Sequence, residues 1–380
     1  MTTPIYELAL MGTPTEDQVD ALVKEIEPAV SAFGLRLGVD VGLNVHPLTF
    51  APSNRTSAAA AFFGSEIASG TDVSLLLSRA IPVLPIVSSL GRVQAELPKQ
   101  LWPINCLEYG AAGARRVASA LLECAGLLPR QRRIFLSYRR DEARQAALQL
   151  FDALSARLFD VFLDTHAIAP AEDFQSTLWH RLCDADVLLM LDTPTYFDSR
   201  WTTAEFGRAL AKGVTVLRVE WPDMTPSVRT ATTSRAELLA TEIDVSTGRL
   251  ADSAIERICS QVEATRSEGI AVRHVNMVGR IRNEIETIGG RLQGIGPHKA
   301  VYLQLADGRG VVAYPTVGVP TSVTLHNAAT YAGDSPPAVV YDHVGLLPSW
   351  IKHIDWLGEH VKTARWVKAC EAGWQFADWT

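Results

Sequence analysis

Ile134-Phe135-Leu136-Ser137-Tyr138-Arg139-Arg140 is an apolar run of strand length that breaks abruptly into polar and basic residues. Such a run fits a strand buried on both faces. The polar residues after it then stand at the strand's C-terminal end, the edge where open α/β sheets bind ligands. Outward from it, helical spacing covers residues 141–158. Short apolar runs follow at 161–163, 187–191 and 214–219, with helices expected at 174–183 and 202–212 between them. Strands alternating with helices predict a parallel sheet covered on both sides. A further helix at 251–265 is expected to pack back onto this sheet.

Upstream, the same rhythm recurs. Strands are expected at 6–11, 35–41, 73–77, 82–87 and 104–107, with helices at 16–33 and 112–127, so residues 1–128 form a Rossmann-like layer. Leu128-Pro129-Arg130-Gln131-Arg132-Arg133 combines proline with basic residues and marks a linker. Downstream of Ile270 the rhythm changes to a helix at 275–288, extended runs at 300–305 and 310–317 around the turn Ala306-Asp307-Gly308-Arg309, and a helical stretch at 348–367. The chain therefore divides into 1–128, 133–268 and a small α+β domain at 269–380. Trp350, Trp356, Trp366 and Trp374 in this last part fit either a ligand pocket or a core. Gly289-Gly290 and Gly308-Arg309-Gly310 are better explained as a helix end and a turn than as phosphate loops.

A chain of 380 residues exceeds a single ordinary core, and 47% hydrophobic with 20% charged residues is the balance of a packed protein. The formal charge of -7 supplies no basic field for a phosphate backbone, so nucleic acid is not the expected partner. Five scattered cysteines without a CxxC suggest neither a disulfide framework nor a zinc site, and fit a reducing cytoplasm. The most apolar stretch, 73–87, is broken by Arg79, Pro82 and Pro85, so neither a signal peptide nor a membrane span is expected.

Phe135-Leu136-Ser137-Tyr138-Arg139-Arg140 resembles box 1 of the TIR (Toll/interleukin-1 receptor) domain. Phe159-Asp160-Val161-Phe162-Leu163-Asp164 and the loop after it resemble the second strand and BB loop. Asp184-Ala185-Asp186-Val187-Leu188-Leu189-Met190-Leu191 resembles the central strand, and Ser199-Arg200-Trp201-Thr202-Thr203-Ala204-Glu205 the helix motif that places a Trp four residues before the catalytic Glu. The four motifs stand in the family's order. Ala171 departs from the commoner glycine in the BB loop. The resemblance implies a flavodoxin-like TIR fold, preceded at 1–128 by a degenerate TIR-like or Rossmann-like domain in which Met11-Gly12-Thr13-Pro14 replaces box 1.

The resemblance to bacterial TIR enzymes of the NADase, antiphage-defence type implies NAD+ as substrate, no cofactor and no metal, and Glu205 as the catalytic carboxylate. It further implies that Phe135, Ser137, Tyr138, Arg139, Arg140, Asp164 and Trp201 border the substrate, and that chains assemble through TIR contacts. An activating ligand or protein partner is left open. Spacing of four puts Trp201 and Glu205 a turn apart on one helical face. A carboxylate beside the ribose would stabilise the oxocarbenium character that develops when the nicotinamide bond breaks. Other readings stand beside these. Thr202-x-x-Glu205 also fits a capping box; Arg139 and Arg140 could pair with Asp141 or Glu142; Asp164 could cap a loop. Alternatively the TIR unit is a non-enzymatic scaffold that recruits partners through homotypic contacts.

Overall fold

A computed structural model describes residues 4–67, 70–163, 173–222, 224–225 and 227–379. Contacts divide the chain into two compact units, Met1–Arg130 with Gly294–Tyr302, and Gln131–Gln293 with Leu303–Thr380.

In the first unit, β1 (Tyr6–Gly12), α1 (Glu16–Ala32), β2 (Val41–Val45), β3 (Ser57–Phe63), α2 (Ser74–Ser78), β4 (Val83–Val87), α3 (Val93–Glu96), β5 (Leu107–Glu108) and α4 (Tyr109–Cys124) build a parallel sheet of order β2-β1-β3-β4-β5. The expected helices and the first and fourth strands are present. The fifth is reduced to Leu107–Glu108, two others fail, and one strand was not expected. The strand at 35–41 starts only at Val41, because residues 36–40 close a turn in which the Arg36 amide and side chain both bond Asp40. The segment expected as a strand at 73–77 is helical, opened by Asp72 Oδ1 accepting from the Ser74 amide at 2.8 Å. The missing central strand is β3, whose Ser-Ala-Ala-Ala-Ala-Phe-Phe lacks the β-branched residues that mark strands. Its small side chains fit a position flanked on both edges and buried on both faces. Residues 294–302 belong to this unit, and the Lys299 amide donates to the buried Tyr6 hydroxyl at 3.0 Å.

In the second unit, β6 (Arg133–Ser137), α5 (Arg140–Ala156), β7 (Asp160–Leu163), α6 (Phe174–Asp184), β8 (Val187–Asp192), α7 (Arg200–Lys212), β9 (Thr215–Glu220) and β10 (Ser234–Glu237) form a parallel sheet of order β10-β9-β8-β6-β7. It is flavodoxin-like. Every expected strand and helix here is present within a few residues. Ile134 and Leu136 pack with Leu150 and Leu154 of α5, whereas Phe135 packs with Leu178 of α6 and Phe206 of α7. That alternation is the two-residue period of a strand.

A short antiparallel pair, β11 (Ile243–Asp244) and β12 (Arg249–Leu250), leads into α8 (Asp252–Thr287). Two helices were expected here, and one 36-residue helix is found. It is buried against the TIR-like sheet through Ile258 and Val262, and further along buries Met277, Ile281 and Ile285. Even Arg266 is fully buried, its Nε donating to Asp186 at 2.7 Å. A helix covered on changing sides shows no single apolar stripe, which is why its sequence looked interrupted.

Beyond it lie β13 (Arg291–Ile295), β14 (Val301–Gln304), β15 (Gly310–Thr316), α9 (Ser322–Tyr331), β16 (Pro337–Tyr341), α10 (Pro348–His360), β17 (Arg365–Lys368) and α11 (Ala372–Ala377), with strand order β13-β14-β15-β16-β17. β15, β16 and β17 are parallel. The stretch expected to be helical to 367 is therefore helix only to His360, and its last residues pair as β17. Trp350 donates its indole N–H to the Pro320 carbonyl at 2.9 Å, whereas Trp356 and Trp374 are exposed. This module grips the far ends of α6 and α7. Lys212 pairs with Asp342 at 2.8 Å, the Val319 amide donates to Asp184 at 3.0 Å, and the Leu347 amide donates to Nδ1 of His180 at 3.3 Å. Among the described residues no helix is long and apolar enough to cross a membrane.

Candidate active site

The alternation along β6 decides which of its residues can meet α7. Ser137 shares a face with Phe135 and so points toward α6 and α7. Helix α7 turns Thr202, Glu205, Phe206 and Ala209 inward. Ser137 Oγ donates to Glu205 Oε2 at 2.5 Å, and Tyr196 Oη lies 2.6 Å from Ser137 Oγ. Ser137 has one hydroxyl proton, which Glu205 takes, so the Tyr196 O–H donates to Ser137. Burial, followed by the negative charge of Glu205, pushes the Tyr196 phenol well above its ordinary pKa, so it stays protonated and remains a donor. The result is a relay from Tyr196 through Ser137 to a carboxylate that is only 6% exposed.

Tyr196 reaches this position because the loop before α7 is pinned. Thr202 Oγ1 donates to the Tyr196 carbonyl, and the Arg139 guanidinium donates to the Thr195 carbonyl at 2.8 Å. Glu142 accepts from the Thr195 amide at 3.4 Å. Arg139 is thus tied to the loop that carries Tyr196, and not to Asp141 or Glu142 on the surface. Arg140 is exposed at the start of α5.

The capping-box reading of Glu205 fails. The N-cap of α7 is Ser199, whose side chain accepts from the Trp201 amide, while Thr202 lies within the helix with its hydroxyl on the Tyr196 and Ser199 carbonyls. Glu205 is held instead by a residue from the sheet.

The other site residues named from the sequence do not all gather here. Tyr138 is on the opposite face of the sheet, in the core shared with α5 and α8. Phe135 is core, stacked on Phe162 at 5.1 Å between ring centroids. Trp201 is 40% exposed at the first turn of α7, with the Arg200 guanidinium 4.6 Å from its ring centroid. Asp164 and the stretch 165–172 lie outside the described residues. Two groups were missed. Tyr196 carried no signal, since an aromatic residue in a loop looks like any other until its partner is known. A buried cluster joins Arg218 to Asp192 at 3.1 Å and to Glu220 at 2.8 Å at the ends of β8 and β9, where burial raises the Asp192 pKa against the pull of Arg218. An arginine in a strand otherwise made of Val and Leu was the available clue.

A family model for the TIR domain matches residues 134–258. Residues 134–258 are a TIR domain. No curated protein matches the chain. A solved PurR family transcriptional regulator from Vibrio parahaemolyticus RIMD 2210633 aligns at 18% identity over 69% of this chain and 92% of its own, with a TM-score of 0.18, too low for the likeness to bear on fold or function.

Proposed function

We propose that the TIR domain is an NAD+ glycohydrolase with Glu205 as its catalytic carboxylate, in the manner of bacterial immune effectors or signal producers activated by assembly. The observation that carries this is the relay from Tyr196 through Ser137 to Glu205, at the C-terminal end of the TIR sheet. A carboxylate held by a hydroxyl from the sheet keeps its direction, which is what stabilising a developing ribosyl cation requires. The C1′–N bond of the cationic nicotinamide riboside breaks heterolytically, and its electron pair leaves with neutral nicotinamide. Water then adds at C1′ and releases a proton to give ADP-ribose; capture by a nitrogen of the adenine gives a cyclic isomer. Neither path needs a metal or a cofactor.

On this reading Arg139 and Arg140, which begin α5 beside the site, meet the diphosphate, and Trp201 forms an outer wall. The regions 1–128 and 269–380 serve sensing or assembly around the TIR domain in the cytoplasm. A second reading, a scaffold acting through homotypic TIR contacts, draws support from how little of Glu205 is exposed.

Incubating the full chain with NAD+ at high protein concentration, with products resolved by chromatography, separates the two. Glu205→Gln keeps the shape and removes the charge, so turnover should fall by roughly a hundredfold or more, with an unchanged circular dichroism spectrum. Turnover of the variant within tenfold of the parent would return Glu205 to a structural role.

A further inference from the structure

The first unit carries a cavity of about 320 Å3 at the C-terminal edge of its sheet, bordered by Thr13, Phe63, Ser65, Glu66, Thr71 and Glu96 among others. Its size is at the lower end of small-molecule pockets, roughly 300–1,000 Å3. Its place is where the fold opens a crevice. β1 and β3 are neighbours, the chain leaves β1 toward β2 and leaves β3 toward β4, and Thr13 and Ser65 follow the ends of those two strands. Gly64 lets α3 close one wall. A Cβ there would stand 2.9 Å from the Glu96 carbonyl oxygen and 3.0 Å from a Leu97 methyl.

The lining defines a ligand chemistry. Phe62, Phe63, Leu97 and Pro98 give an apolar floor, and the Phe63 ring is steadied by Tyr109 at 6.1 Å between centroids. Hydroxyls and two carboxylates make the rim. The described lining residues include no Lys or Arg, and the neighbouring Arg92 is engaged by both carboxylates, Glu66 and Glu96. Glu96 also accepts from the Ser88 amide at 2.8 Å, which fixes its carboxylate in place. A phosphate would meet net negative charge here, whereas a flat ring with hydroxyl or amino groups would meet an aromatic floor and hydrogen-bonding partners.

The geometry points to a binding site in the first unit for an uncharged or cationic molecule of the nucleoside class, separate from the TIR domain and from NAD+ cleavage. Calorimetric titration of the full chain with adenosine, guanosine, cytidine and uridine, and with their 5′-monophosphates, tests it. At least one nucleoside should bind, its monophosphate at least tenfold more weakly. Ser65→Leu, which fills the cavity, should abolish that binding, and Glu66→Gln, at an exposed side chain, should weaken it at least fivefold. Thermal unfolding of both variants reports whether the fold is kept, and Arg139→Ala in the TIR domain should leave the affinity unchanged. Absence of binding by all four nucleosides, binding undiminished in both Ser65→Leu and Glu66→Gln, a monophosphate that binds as tightly as its nucleoside, or loss of binding in Arg139→Ala would each overturn the assignment.

Discussion

At the scale of single residues, the candidate site depends on three side chains from three different segments, each oriented by something local. Ser137 faces α7 because it stands two residues from Phe135 on a strand; Glu205 faces Ser137 because α7 is buried on that side; Tyr196 is placed by a pinned loop. Removing the central hydroxyl leaves a buried carboxylate short of one donor and a buried phenol short of one acceptor. Ser137→Ala is therefore expected to cost about 1–3 kcal/mol of stability, read as a lower denaturant midpoint at unchanged slope. Tyr196→Phe keeps the ring and removes only the relay's outer hydroxyl. On the proposed activity it should lower kcat about tenfold, near 1.4 kcal/mol of barrier, with KM little changed, because the phenol acts through Ser137 and does not meet substrate. An equal effect on KM would place Tyr196 in the binding surface instead.

At the scale of elements, α8 and the grip on α6 are where packing overrides local preference. Gly269 is inside α8, and glycine in a helix ordinarily costs about 1 kcal/mol against alanine. Here a Cβ at 269 would fall 2.1 Å from Thr215 Oγ1 and 2.8 Å from Thr215 Cβ at the start of β9. The clash outweighs the propensity gain. Gly269→Ala should destabilise by about 1–3 kcal/mol, whereas Gly279→Ala, with open space around it, should be neutral or stabilising; chemical denaturation of the pair gives the comparison.

His180 on α6 provides a pH signature. Its Nδ1 accepts from the Leu347 amide, and burial, aided by Arg181 and Arg133, lowers its pKa from 6.5 to about 4. Between those two values the unfolded chain binds a proton that the folded chain refuses, so this histidine withdraws stability as pH falls from 6.5 to about 4 and adds no further change below that. His180→Gln, which keeps an acceptor without a titrating ring, should show a shallower fall of melting temperature across that window. Identical pH profiles for the two proteins would mean that the imidazole is not what titrates.

At the scale of the whole molecule, the candidate carboxylate is nearly covered while the tryptophan one turn before it is open to solvent. A chain in this state presents Trp201 and covers Glu205. The proposed activity then needs a neighbouring TIR domain to complete a water-excluding site around the sugar. Specific activity should rise more steeply than linearly with protein concentration. A protein monomeric by light scattering, whose activity is proportional to concentration over two decades, would indicate a self-contained site.

The sequence by itself determined the TIR domain, because strands buried on both faces must be written as continuous apolar runs and because Trp201, Glu205 and box 1 stand at fixed spacings. Its candidate residues Glu205 and Ser137 are hydrogen-bonded to one another, a contact that their spacing in the chain did not announce. What only the tertiary structure decided has a common physical cause, which is that the deciding partner is distant in the chain. An alanine-rich β3 is a strand only because two neighbours flank it. α8 is one helix only because two successive cores cover different sides of it. β17 is a strand only because β16 offers an edge. Tyr196 and Glu205 are nine residues apart in sequence, yet they are joined through Ser137 on another element, and spacing along a chain carries no information about that third partner.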